Sequence, residues 1–491
     1  MCKVRHIYRF GCNFTCIFNQ SKLLQFFRVN AFYQIFSLVF LLILIRFPGF
    51  INDLPLLIPE MRWQLIGEQI ASGSLLYVDI LDNIGPFSGF VYGIIHFFVG
   101  RSVNAYHIIA LIITTFQIFY FTLLVHKKGL FRERNYVPGL ILLLFFSLSF
   151  DFYTLSPALM ANTFLMLAFG SFLGQIERHG ATDEVFEIGV LLGIAFLFYP
   201  PLFVFFLWIL LGLSLFTGAK IRQQFLVLFG VIFPLLIVAI WYFIDGHFNE
   251  FYSYFLLPIF EKRQFILNDF KGLLISFALP LIVGVLGFFK VIGSVKFNNF
   301  QTRAQQIVLL WFVAATLSIV LMPFLAPMQF IPFLLPLAYF NVLYFADFKK
   351  KWVAELLFLG LFFGVLFVNF QAYLPSFETI NLPKLDKLRL VNKSISKEIE
   401  GKKILVLGND LSPYIKNKTA TPYINWDLSK TEFINVNNYN NVIRIMLNFE
   451  KDKPQYIFDQ ENLMEKVFQR IPSLGIQYEK INEGLYKLKN T

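Results

Sequence analysis

The sequence predicts an α-helical polytopic membrane protein of about 11 transmembrane helices, with a small C-terminal α/β domain outside the membrane. Three observations predict it. Hydrophobic residues make up 57% of the chain, charged residues only 15%, and mean hydropathy is +0.63, whereas a soluble domain holds roughly 45–50% apolar and 25% charged residues. Apolar runs near the length of a bilayer crossing recur through residues 32–373. Beyond 373 the composition turns polar and mixed, with short strand-like runs.

The first 31 residues read as a cytoplasmic tail. They hold all three cysteines, Cys2, Cys12 and Cys16, which suggest no disulfide framework and lack the second ligand pair of a zinc site. Crossings are expected at 32–50, 104–125, 137–150, 158–176, 186–199, 201–217, 225–244, 273–292, 306–324, 330–346 and 353–373. The formal charge of +11 is not a nucleic-acid signature, because the cations fall in short clusters between apolar runs. Such clusters are retained in the cytoplasm and set orientation. With the N-terminus inside, Lys127, Lys128, Arg132 and Arg134, then Lys220 and Arg222, then Lys349, Lys350 and Lys351 all fall on the inner side.

That arrangement requires "PFSGFVYGIIHFFVG" (86–100) to lie on or dip into the membrane rather than cross it. At 15 residues it is short for a span. The transmembrane domain is thus 32–373, with a long outer loop at 51–103. The loop is rich in acid: Asp53, Glu60, Glu68, Asp79 and Asp82. A second outer loop, "SFDFYTLSP", carries Asp151, and a third carries Lys262 and Arg263. The C-terminal domain, 374–491, is expected to be periplasmic, with strands in "KKILVLGND", "QYIFD" and "GLYKLK" and a helix in "ENLMEKVFQRI". "VLGND" has one glycine where a dinucleotide fingerprint needs three.

These residues resemble the GT-C glycosyltransferases, and within them the branch of lipid A aminoarabinose transferases and protein mannosyltransferases. In that branch the first outer loop begins with acids, runs into a helix and then passes through a Pro-containing turn to an interfacial helix. The small-residue signature is matched here at Gly73, Tyr77, Pro86, Gly100 and Ser102. The resemblance covers the whole chain in architecture and about 50 residues in motif. It implies an inverting transferase in the bacterial inner membrane that uses a polyprenyl-phosphate-linked sugar in envelope glycan or glycolipid assembly. The chain departs from the pattern at Pro59, where the family places an Asp before Glu60, and at Gln329, where a basic residue or His is common.

Transfer from a sugar phosphate needs a carboxylate to take the acceptor proton and cations or hydrogen-bond donors for the leaving phosphate. The expected catalytic acids are Glu60 and Asp151; Asp79, Asp82, Arg62, Arg101, Lys262 and Arg263 are the expected substrate contacts. Each has a simpler role open to it. Glu60 can complement a helix dipole, Asp79 and Asp82 can close Asx turns, and the cations can anchor headgroups. No metal ligand set is evident, and a divalent ion is compatible with the acids without being required. No nucleic-acid partner is expected; the expected partners are membrane lipid, the lipid-linked sugar and envelope proteins. The Pro59 and Gln329 departures leave open a non-catalytic scaffold of the same fold. A transporter or flippase is the third reading, disfavoured because the crossings from 104 to 373 carry almost no ionisable residues at mid-depth.

Overall fold

The computed structural model describes residues 23–52, 54–177, 182–259, 270–292, 297–346, 348, 350–371, 388–391 and 396–489. The three cysteines, Lys262 and Arg263 lie outside the described residues. Among the described residues, nine helices are long and apolar enough to cross a bilayer: Tyr33–Ile51, Val103–Lys128, Pro157–Glu177, Pro200–Thr217, Ile221–Ile244, Phe270–Lys290, Asn299–Leu321, Pro327–Ala346 and Lys351–Gln371. Multi-pass membrane insertion follows from them. Their burial is graded. Pro327–Ala346 is 94% buried and forms the centre, whereas Tyr33–Ile51 and Ile221–Ile244 are 33% buried and turn Phe36, Phe40, Phe229, Phe233 and Ile244 outward. A belt of exposed large apolar side chains around a packed helical core is the arrangement lipid requires, since helices alone satisfy their backbone groups there.

The two other expected crossings are apolar helices of lesser length. Val137–Phe145 has nine residues, all buried, and leads through a turn into the 3-10 segment Phe150–Tyr153. Thr182–Phe198 has 17 residues and ends at Pro200. It packs tightly on Ile221–Ile244. A Cβ at Gly189 would lie 2.4 Å from the Val227 carbonyl oxygen and one at Gly230 2.5 Å from that of Phe186, so only glycine permits this approach. Close contact between small residues substitutes for the hydrophobic drive that is absent between helices in lipid.

The loop expected on the outer side, described from residue 54 to 103, folds as a helical hairpin. Its first arm, the loop helix Ile58–Ala71, starts with Pro59 in the first turn, where proline's missing N–H costs nothing. Its second arm, Pro86–Val99, has 14 residues and is about 21 Å long, too short to cross a core of about 30 Å. It buries Ser88, Tyr92 and Ile95 against the protein and exposes Phe90, Phe97, Phe98 and Val99.

The C-terminal region forms a five-stranded sheet of order β2-β1-β3-β5-β4 from β1 (Lys403–Leu407), β2 (Lys418–Thr419), β3 (Tyr456–Asp459), β4 (Tyr478–Asn482) and β5 (Leu485–Leu488). β1 is parallel to β2 and β3, while β4 and β5 close the far edge as an antiparallel hairpin. Leu405, Leu407, Ile457, Trp426, Phe433, Ile445 and Phe449 make its core, which Leu81 of the outer loop joins.

Candidate functional site

Residues two apart on a helix point about 200° apart, so Glu60 and Arg62 leave the loop helix on opposite faces. Glu60 is fully buried. Its Oε1 accepts from the Thr154 hydroxyl at 2.9 Å and lies 3.4 Å from His107 Nε2, and Oε2 has no hydrogen-bond partner among the described residues. Arg62 faces the other way, toward Asp82, with Nε 3.5 Å from Oδ2.

Asp82 is held by a turn that the sequence builds carefully. Tyr77, at a positive φ of 72°, is packed among Tyr242, Phe251 and Phe255, and its hydroxyl donates to the Ile84 carbonyl at 2.6 Å. Asp82 Oδ1 accepts from the Ile84 N–H at 2.8 Å, an Asx turn, and Oδ2 accepts from Asn425 Nδ2 of the outer domain at 3.1 Å. Gly85 then passes so close to the end of Thr182–Phe198 that a Cβ would stand 2.2 Å from the Leu197 carbonyl oxygen.

Arg62 and Asp82 line an open recess with Trp63, Gly85, Tyr199, Phe324 and Gln329. A second open recess shares Arg62 and Phe324 and continues along the outer domain past Asn409, Asn425 and Asp427. Gln329 is buried with Oε1 unpartnered among the described residues, and so is Oδ1 of Asn425. The first recess therefore brings one cation, one carboxylate and the side-chain amides of Asn83 and Gln329 to the junction of the loop helix and the span ends, and the second extends it to the outer domain.

Asp151 is fully buried nearby but does not line either recess; its Oδ2 accepts from the Met328 N–H at 2.7 Å. Burial pushes its pKa up to about 7, opposed by the hydrogen bond from the Met328 N–H. Asp79 accepts from the Leu75 N–H at 2.8 Å and pairs with Lys451 of the outer domain. Burial alone would raise its pKa, but the Lys451 and Leu75 hydrogen bonds outweigh that and hold it below the usual carboxylate range. Arg101 pairs with Glu68 and donates to the carbonyls of Tyr414 at 2.6 Å and Asn417 at 2.8 Å. Both are struts between the outer loop and the outer domain, joined by the Leu81 N–H to Pro422 carbonyl bond at 2.9 Å.

Sequence reasoning passed over three buried polar residues near the ends of spans. His107 meets Glu60; Asn369 donates to the Tyr153 hydroxyl; Arg46 donates to Thr114 Oγ1 at 3.2 Å and lies over the Tyr153 ring at 4.7 Å. The available signal was a lone arginine inside "LLILIRFPGF", since charge within a span marks a functional or packing site. Among the described residues no group of three or more His, Cys, Asp and Glu side chains could hold a metal ion.

Residues 81–377 match the family described as "Family of unknown function (DUF6427)". No curated protein sequence matches the chain. Among solved structures, the apo oligosaccharyltransferase of Archaeoglobus fulgidus is similar at 12% identity and a TM-score of 0.50, over 87% of this chain and 69% of that one. The oligosaccharyltransferase AglB from the same organism, in complex with an inhibitory peptide and a dolichol-phosphate, is similar at 11% identity and TM-score 0.50, over 94% of this chain and 75% of that one. ArnT from Cupriavidus metallidurans, bound to undecaprenyl phosphate, gives 13% identity, 67% and 63% coverage and a TM-score of 0.49. The archaeal likeness is one of fold: the chain shares the architecture of these oligosaccharyltransferases, as its sequence led one to expect of a GT-C-like chain.

Proposed function

We propose an activity for a chain that belongs to the DUF6427 family: it is a membrane glycosyltransferase that takes a sugar from a polyprenyl-phosphate carrier for envelope glycan or glycolipid assembly. The observation that carries this reading is the pairing of Arg62 and Asp82 in one recess between the loop helix, the turn that follows it and the span ends, with Arg62 also lining the adjoining recess toward the outer domain. The archaeal relative of the same fold is in complex with a dolichol-phosphate, which supports a lipid-phosphate donor. The distribution of basic loops supports a bacterial inner-membrane protein with a cytoplasmic N-terminus, a transmembrane domain over 32–373 and a periplasmic domain over 374–491.

In this reading Arg62 receives the donor's phosphate. Its contact with Asp82 at 3.5 Å is loose, and its Nε has no other hydrogen-bond partner among the described residues. An arriving phosphate competes for the guanidinium and leaves Asp82 Oδ2 to take the acceptor's proton while the anomeric carbon is attacked from the opposite side to the leaving phosphate. Arg62 then stabilises the charge that develops on that phosphate. Asp82 replaces Glu60 as the proposed base because a base must reach the acceptor, and Glu60 is sealed behind His107 and Thr154. Glu60 and Asp151 are assigned to positioning the loop helix and the Met328–Gln329 segment.

One observation favours a scaffold instead: both Asp82 oxygens are already engaged, by Ile84 and Asn425. The two readings separate in a transfer assay with a polyprenyl-phosphate sugar donor and membranes holding equal amounts of each variant. Loss of transfer with Asp82→Asn, and a raised donor requirement with Arg62→Ala, support the enzyme; unchanged glycan assembly in both variants supports the scaffold and ends the enzymatic reading.

A further inference from the structure

Arg46 carries a charge that its surroundings do not answer. It lies five residues before the end of the 19-residue span Tyr33–Ile51, about 8 Å along the axis, and is 1% exposed. Arginines near a span end commonly extend their heads to the water layer. This one turns inward, where its guanidinium meets Thr114 of Val103–Lys128 and the ring of Tyr153.

Its donors are mostly unused. Nη2 reaches Thr114 Oγ1, but Nε and Nη1 have no hydrogen-bond partner among the described residues. Thr114 gives its own proton to the Ala110 carbonyl at 2.7 Å. Among the described residues no carboxylate pairs with Arg46: Glu60 is taken by Thr154 and His107, and Asp151 by the Met328 N–H. The face of the Tyr153 ring attracts the cation without cancelling its charge. The next neighbour repeats the pattern. Asn369, fully buried in Lys351–Gln371, donates Nδ2 to the Tyr153 hydroxyl, and its Oδ1 is unpartnered among the described residues. A carboxamide has the same outline either way round; turned over, it accepts the Tyr153 proton and presents Nδ2 as a further donor.

We propose that Arg46 holds a small monovalent anion, a halide such as chloride, inside the helical bundle. Buried polar groups are almost always hydrogen-bonded. Water could fill the donors but cannot offset a whole charge away from solvent, whereas an anion does both. Its size follows from the enclosure: Arg46 lines neither recess at the loop helix, and its burial shuts out a sugar phosphate or a lipid headgroup. One negative charge matches one guanidinium. The site is separate from the Arg62–Asp82 recess and does not depend on any transfer activity.

The test measures binding of radiolabelled chloride to the purified full chain at fixed ionic strength, with gluconate as the bulky replacement and thermal unfolding read in both salts. Wild type is expected to bind chloride at a single saturable site, to release it to bromide but not to gluconate, and to melt higher in chloride. Arg46→Met keeps much of the apolar stem without the charge and should bind chloride roughly tenfold more weakly or worse, the scale of one charged hydrogen bond. Asn369→Asp sets a carboxylate beside Tyr153 in nearly the same volume and so supplies the missing charge from within. It should give up chloride while melting in gluconate as wild type does in chloride, which keeps the test decisive if Arg46→Met fails to fold. Arg62→Ala should bind chloride as wild type does. A wild type that binds no chloride, chloride binding in Asn369→Asp equal to wild type, or loss of binding in Arg62→Ala each overturns the proposal.

Discussion

The two faces of the loop helix differ in what surrounds their charge. On one face Glu60 meets His107 and Thr154 in a sealed interior; on the other Arg62 meets Asp82 beside open space shared with the outer domain. Both faces carry an acid close to a cation or a titratable group. Only the second borders a recess, and chemistry requires that the acid reach a reacting molecule. Acid content alone therefore does not locate the site; the geometry of the facing elements does.

The largest expected effect breaks the comparison directly. Asp82→Asn keeps the side chain's size while removing proton acceptance, and glycosyl transfer should fall by roughly 10²–10⁴-fold, as for loss of a general base. Glu60→Gln should do the reverse, leaving transfer within about tenfold and lowering thermal stability by about 1–3 kcal/mol, the scale of a disturbed buried polar contact. Transfer rates and unfolding midpoints on the same preparations check both; a catalytic collapse in Glu60→Gln with Asp82→Asn active would invert the assignment.

The sequence made some of this arrangement legible. The spans were readable because lipid imposes a run of about 20 apolar residues on each crossing, and β1 and β3 because their buried positions form apolar runs. β4 was missed because four of its five residues are exposed and polar or isolated, "YEKIN", and β2 because it has only two residues. The acids of the outer loop were visible, but their division into sealed, site-facing and strut positions was not. Arg101 reaches Tyr414 across 313 residues of sequence, and nothing local in "VGRSV" encodes that partner. The short helix Val137–Phe145 was read as part of a longer crossing, since a buried apolar helix and a lipid-exposed one carry the same composition.

The next effect sharpens the role of the outer domain in the open face. Arg101→Ala removes the Glu68 ion pair and two charged hydrogen bonds to Tyr414 and Asn417. Partly buried contacts of that kind are worth about 2–3 kcal/mol together after solvent screening. The outer domain should loosen from the loop, with faster amide exchange in β1 and β2 and weaker transfer through loss of the Asn425 contact to Asp82. Unchanged exchange would show that the remaining bonds, such as Leu81 to Pro422, hold the domain alone.

The sealed face has its own signature in pH. Asp151 has a pKa raised to about 7 by burial, so the folded state holds a proton that the unfolded state has already released above its ordinary value near 4. The stabilising contribution is complete at low pH and is lost as pH rises through 7. Asp151→Asn should remove this decline. Thermal unfolding at pH 5 and pH 8 should converge in the variant and diverge in wild type; an identical slope in both would show that Asp151 does not titrate in this interval.

The smallest effect comes from the pair that looks strongest on a contact map. Lys451 and Asp79 join the outer domain to the loop in close contact, yet the lysine side chain is 69% exposed. Water and salt screen such a pair, and the long lysine side chain loses freedom on pairing, so it contributes about 0–1 kcal/mol. Asp79 is also held by the Leu75 N–H, which keeps its turn without the lysine. Lys451→Ala should therefore shift the unfolding midpoint by less than Arg101→Ala, and the difference from wild type should vanish at high salt. A loss as large as that of Arg101→Ala, persisting in salt, would move the weight of the domain contact from the buried end of the loop to its exposed edge.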